Sequence, residues 1–123
     1  MAVPLEALAS MPMIGYRGCR TEQRVESYLR GLGVDLNRVA YADDNAIIQA
    51  MVAEGRGVAL LTELSIDTSD PRTLGVDLDG WLPPRRVALA WHRDQGTAPA
   101  LDAFVAATRD VTASHRKAVR PAA

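Results

Sequence analysis

The stretch that most constrains the fold is residues 41–61, YADDNAIIQAMVAEGRGVALL. Asp43 or Asp44 stands where a helix would begin, and a short carboxylate there accepts from the free N–H groups of the first turn. Ile47, Ile48, Met51 and Val52 then recur at one-, three- and four-residue steps and make one apolar stripe. Gly55 and Gly57 flank Arg56, so the helix can end in a left-handed residue and the chain can reverse tightly. Val58, Ala59, Leu60 and Leu61 show no polar alternation, which predicts a strand covered on both faces of a parallel sheet. Half of a βαβ unit is written here, and it ties the chain to the α/β class.

The rest of the sequence extends that pattern. A short helix is expected over residues 3–9, with Pro4 in its first turn and Pro12 ending it. Residues 13–16 read as a strand and residues 17–20 as a loop, with Thr21 as the cap of the next helix. That helix carries Val25, Tyr28, Leu29 and Leu32 on one side, and Gly33 closes it. Glu22, Arg24, Glu26 and Arg30 form its outer, solvated face. Residues 38–42 are a strand, residues 62–66 one helical turn, and residues 73–78 alternate as a half-buried edge strand. Trp81, Leu82, Pro83 and Pro84 read as a hinge, because two prolines force extended backbone and remove two donors. A last strand over residues 87–91 precedes a helix from Pro99, with Leu101, Phe104, Val105, Thr108 and Val111 on one side. Residues 114–123 read as a frayed basic tail. The order of elements means a layered α/β domain with a mostly parallel sheet.

Composition excludes several classes. With 123 residues the chain has room for a real core in one domain. Fifteen acidic against fourteen basic residues give a net charge of −1, which argues against a dedicated nucleic-acid surface. The one cysteine, Cys19, cannot pair within the chain, and no apolar run approaches the ~20 residues of a membrane helix. No secretory signal is recognisable at the start. A cytoplasmic location is the expectation.

Catalytic motifs are missing: there is no GxSxG, HExxH, CxxC or P-loop, and His92 and His115 have no second ligand at metal spacing. We therefore expect no enzyme, no metal and no cofactor. In an open parallel sheet small molecules bind at the carboxyl ends of the strands, which points to two loops. In the first, Arg17 and Arg20 together with the N–H groups of a helix start offer a cradle for a carboxylate or similar anion. The competing reading has both arginines pointing into water. In the second, Asp43, Asp44 and Asn45 stand together; capping accounts for Asp43, and Asn45 is the better contact. Cys19, between two arginines, also has the setting of a redox-sensing thiol, without a second cysteine to resolve it.

The run from Asp43, Asp44, Asn45 and Ala46 through Gln49, Ala50, Met51, Val52, Ala53, Glu54, Gly55, Arg56, Gly57, Val58, Ala59, Leu60 and Leu61 resembles a hallmark of LysR-type transcriptional regulators. Their effector-binding domain typically reads D-N…Q-x-x-V-A-x-G-x-G-V-A-L-L-P. The earlier PLEALASMPMIGY resembles that family's L-x-x-L-A-x-x-P-L-I, and the segments DPR and PPRRVALAWHR resemble its return through the hinge. The resemblance covers roughly residues 3 to 112.

The resemblance implies a type 2 periplasmic-binding-protein-like fold, with two α/β lobes and a small-molecule effector in the cleft. Residues 3–82 would be the second lobe, residues 83–113 the hinge, return strand and C-terminal helix of the first, and residues 114–123 a flexible tail. No helix-turn-helix and no first half of the first lobe are recognisable, so a truncated version of the family domain is the expectation. DNA would be met only through a helix-turn-helix outside this sequence. Effector contacts are expected from Tyr16, Arg17, Gly18, Cys19, Arg20 and Thr21, with Asp44, Asn45 and Thr62 beside them. Thr62 replaces a proline common in the family and leaves a hydroxyl at the end of a central strand. The implied partners are a small effector, a carboxylate or other anion, and further copies of the chain. A transport-linked solute-binding protein of the same fold is the alternative, and a small α/β enzyme a third reading.

Overall fold

A computed structural model describes residues 3–78, 80–92 and 98–119, with side chains through residue 115. The chain divides into two compact units, Met1–Arg85 and Arg86–Ala123.

The first unit is a small three-layer α/β arrangement. Strands β1 (Pro12–Tyr16), β2 (Asn37–Ala42) and β3 (Val58–Ala59) form one sheet in the order β2-β1-β3. Both pairings are parallel. Helices α1 (Ala7–Ser10), α2 (Arg20–Gly31) and α3 (Asn45–Ala53) flank it, and a 3-10 turn covers Glu63–Ser65. The alternating β-α-β-α-β order expected from sequence is therefore present, with the stretch from Tyr41 onward supplying α3 and β3.

Two apolar clusters hold the layers together. Leu8, Leu29 and Val34 close one, with Val25, Leu36, Leu60, Trp81 and Leu82 packed around them. Ile14, Ala42 and Ile48 close the other, with Tyr16, Met51, Val52 and Leu61 at its margin. Burying a side chain of this size contributes ~1.5–3 kcal/mol. The helix stripes thus do what their periodicity predicts, except that Ile47 is 54% exposed and Tyr28 and Leu32 are also exposed. Both helices stop at a left-handed glycine, Gly33 after α2 and Gly55 after α3. After α2 the turn is closed by N–H of Val34 donating to the carbonyl of Leu29 at 3.0 Å.

Gly57 is required by proximity. A Cβ there would lie 2.3 Å from the carbonyl oxygen of Pro12, so only glycine lets β3 approach β1.

Several expectations are corrected. The first helix spans only Ala7–Ser10; residues 3–6 lead into it through a turn in which Ala7 N–H donates to the Pro4 carbonyl at 3.0 Å. Only Val58 and Ala59 of the apolar run 58–61 pair in the sheet, and β3 is its edge strand, with Val58 exposed; Leu60 packs into one cluster, and Ala59 and Leu61 into the other. Residues 73–78 form no strand, and Leu74 is 81% exposed. Alternating side chains create a face that wants cover, but a strand also needs a neighbour for its backbone N–H and C=O groups.

In the second unit, residues 86–92 form no helix and no paired strand, and α4 runs over Pro99–Val119. The strand expected at residues 87–91 is therefore absent for the same reason. Val87, Leu89 and Trp91 are exposed, as are Phe104 and Val111 on α4. The tail expected from residue 114 is helical as far as Val119, and residues 120–123 lie outside the described residues. Leu89, Trp91, Val105 and Thr108 line an open, mostly apolar groove with Arg109 at its edge.

Candidate functional site

Because β1, β2 and β3 run parallel, their carboxyl ends lie along one edge of the sheet. Three connections leave from it. Residues 17–19 lead from β1 into α2, Asp43 and Asp44 lead from β2 into α3, and Leu60, Leu61 and Thr62 lead from β3 into the 3-10 turn. This is the edge at which open α/β sheets take ligands.

The first two connections are joined directly. Arg17 N–H donates to the Ala42 carbonyl at 2.9 Å, and Arg17 Nε lies 3.2 Å from Asp43 Oδ1. Both side chains of that ion pair are largely exposed, so it is worth at most about 1 kcal/mol and leaves the guanidinium able to exchange partners. Tyr16 is half-buried against the Ile14 cluster, and Gly18 has φ +68° with open space around its Cα. Cys19, not Thr21, is the cap residue of α2; it makes no side-chain cap hydrogen bond. It is a half-buried free thiol. Arg20 and Thr21 are exposed in the first turn, Arg20 being the first helical residue.

At the second connection the two aspartates divide their roles oppositely to expectation. Asp44, at φ −131° and ψ 139°, caps α3 by accepting from Ala46 N–H at 2.7 Å and Ile47 N–H at 3.3 Å. Asp43 is left to the ion pair with Arg17. Asn45 Nδ2 donates to the Ser65 carbonyl at 2.5 Å, while its Oδ1 is buried with no hydrogen-bond partner among the described residues. Gln49 Nε2 donates to the same carbonyl at 3.1 Å, and its Oε1 accepts from Asp67 N–H at 2.7 Å. The Thr62 and Ser65 hydroxyls lie 2.7 Å apart. Asn45, Gln49, Thr62 and Ser65 therefore clamp the exit of β3 onto α3.

A second cluster lies behind the first connection, at residues that spacing alone did not single out. Glu22 and Glu26 were expected on the solvated face of α2; instead they enclose Arg38. Arg38 Nη1 lies 2.7 Å from Glu22 Oε1, and Arg38 Nε lies 3.9 Å from Glu26 Oε1. The Arg38 side chain is only 7% exposed and that of Glu22 16%. The second Glu22 oxygen accepts from the Tyr16 N–H. Arg38 Nε and Nη2 make no hydrogen bond among the described residues.

Away from this edge, hydrogen bonds from Ser69 hold the Asp67 carboxyl below its ordinary value, and hydrogen bonds from Arg72 do the same for Asp70. Asp70 and then Glu54 raise Arg72 in turn. These contacts tie the loop after the 3-10 turn to the end of α3. Among the described residues no group of three His, Cys, Asp or Glu side chains is placed to share a metal ion. None of the described helices is long and apolar enough to cross a membrane.

The unit is a small α/β arrangement with a parallel three-stranded sheet and polar loops gathered at its carboxyl edge, the edge that suits a ligand in such folds. The family model of the LysR substrate binding domain matches residues 1–113, and the chain belongs to that family. It is thus effector-binding substance of a LysR-family regulator, a regulatory binding domain whose family is not typically catalytic. Comparison with curated proteins gives no significant match, and comparison with solved structures gives none either.

Proposed function

We propose that this chain senses a small anionic metabolite, a carboxylate in the first instance, for a bacterial LysR-family transcriptional regulator. The effector would lie at the carboxyl edge of the sheet, against Tyr16, Arg17, Gly18, Cys19, Arg20 and Thr21. Asp44, Asn45 and Thr62 would border it. The observation that carries this reading is the first connection: two exposed arginines at the start of a helix whose cap residue offers no side-chain acceptor to the first-turn N–H groups. Such N–H groups and guanidinium donors suit a carboxylate. Asp43 acts as the resident counter-ion of Arg17, and an incoming carboxylate would take its place.

Binding would act on DNA through a helix-turn-helix part of the regulator, not through the α/β unit itself. The near-balanced charge agrees with that division. Residues 3–82 would work as the second lobe of the family domain and residues 83–113 as its hinge and first-lobe return. The exposed apolar residues of residues 87–91 and α4 favour a homo-oligomer, and sedimentation as a monomer would count against that. A cytoplasmic site of action agrees with the lone free cysteine.

The test is a thermal-shift screen of aromatic and aliphatic carboxylates. A hit should raise the melting temperature, and the paired substitution Arg17→Ala with Arg20→Ala should abolish the rise. A hit that survives the paired substitution removes the anion cradle.

A further inference from the structure

We propose that Glu22 and Arg38 are positioning residues for the candidate effector loop: together they hold the backbone at Tyr16, and so fix the shape in which residues 17–20 meet a ligand. The proposal rests on the reading that this loop contacts the effector and adds which residues give the loop its form.

Glu22 lies in the first turn of α2, six residues beyond Tyr16. One of its oxygens accepts from the Tyr16 N–H, and the other meets Arg38 Nη1 at 2.7 Å. A single carboxylate therefore joins the end of β1, the start of α2 and the neighbouring strand β2. It closes the loop from both ends. Without it the loop would be tied by the Arg17 N–H donating to Ala42 at 2.9 Å and by the exposed Arg17–Asp43 pair.

Arg38 reaches this place through an irregularity in β2. Met13 is paired with Arg38 but Ile14 with Ala40, so Val39 is an extra residue between them. The shift moves Arg38 to the face of Met13, Gly15 and Tyr41, opposite to that of Ala40 and Ala42. Gly15 makes room: a Cβ there would lie 2.8 Å from Glu22 Oε1 and 2.9 Å from Arg38 Nη1. Bulge, glycine and buried pair converge on one point behind the loop.

The energetics say what the pair is for. A buried ion pair seldom stabilises a fold more than well-packed apolar residues of the same volume. Here Arg38 also leaves Nε and Nη2 without hydrogen bonds among the described residues, a cost that packing alone would not incur. An apolar pair would not supply an acceptor for the Tyr16 N–H. That directional contact, shielded from water, is the distinctive contribution of Glu22, with Arg38 holding it in place.

The test compares amide hydrogen exchange, read residue by residue by NMR, in the native chain and in the double variant Glu22→Leu with Arg38→Met. The variant keeps apolar volume and removes both members of the 2.7 Å pair, while Glu26, with its side chain 29% exposed, keeps access to water. Exchange at Tyr16 and Arg17 should accelerate by about tenfold or more, while Ile14 in the middle of β1 stays protected. Unchanged protection at Tyr16 would overturn the proposal. The native chain offers a check that needs no variant: a Tyr16 amide exchanging as fast as that of exposed Gly18 would also overturn it. Benzoate serves as the probe for the site. Its effect on residues 17–20 of the native chain decides whether the loop binds carboxylates, independently of the exchange result. Where it binds, the double variant should bind it about tenfold more weakly at the same loop; equal affinity contradicts the positioning role.

Discussion

On one face of the sheet Ile14, Ala42 and Ile48 close against α3 in an apolar cluster; on the other, where α2 also brings Leu29 into the cluster of Leu8 and Val34, Arg38, Glu22 and Glu26 meet between β2 and α2 beside Gly15. The apolar face gains its strength from area, which is non-directional and tolerates small adjustments of each side chain. The charged face depends on partners at defined distances, so loss of one partner is felt at once by the others. The first kind of packing keeps the layers together. The second can specify where a particular backbone group lies, and here that group is the last residue of β1, beside the candidate ligand edge.

Stability measurements can break this comparison. The largest expected effect is Glu22→Ala, which leaves Arg38 buried without its nearest carboxylate and should cost about 3–5 kcal/mol in denaturant unfolding. Ile48→Ala on the apolar face should cost about 2–5 kcal/mol by loss of contact and creation of a cavity. The two faces should then part company. Glu22→Leu combined with Arg38→Met should recover most of what Glu22→Ala loses, whereas a second truncation beside Ile48 should add to the damage. If the combined variant is as unstable as Glu22→Ala, the charged face is a source of stability and the contrast fails.

Smaller effects sharpen the assignment of the two aspartates at the same edge. Asp44→Ala removes a helix cap and should cost ~1 kcal/mol. Asp43→Ala removes one half of an exposed ion pair and should cost less, about 0–1 kcal/mol. Thermal melts of the two single variants decide this, and the reverse order would restore Asp43 as the cap.

Much of the fold was legible because its signals are local. The stripe through Ile48, Met51 and Val52, the left-handed glycines after both helices, and the order of strands and helices all follow from spacing within about twenty residues. What escaped depends on relations that spacing does not encode. Asp43 and Asp44 are chemically identical neighbours, and only the extended backbone at Asp44 decides which one caps. Arg38 would share a face with Ala40 and Ala42 under strict alternation; the extra residue Val39 reverses that, and with it the role of Glu22. Residues 73–78 and 87–91 carry strand-like patterns, but a pattern reports a face that seeks cover and not a backbone partner. At the candidate site, the loops could be placed from the fold class alone. The clamp of Asn45 and Gln49 on Ser65 could not, because it joins residues 16 to 20 positions apart through side chains that sequence leaves unassigned.

The proposed ligand, a small anion, would be met at the carboxyl edge of the sheet. Titrating the isotope-labelled chain with benzoate and with succinate, and following each backbone amide by NMR, tests it directly. Shifts are expected to concentrate at Tyr16, Arg17, Gly18, Cys19, Arg20 and Thr21, with weaker ones at Asp44, Asn45 and Thr62. Shifts confined to the groove of Leu89, Trp91 and Arg109, or spread evenly over the basic side chains, would contradict it.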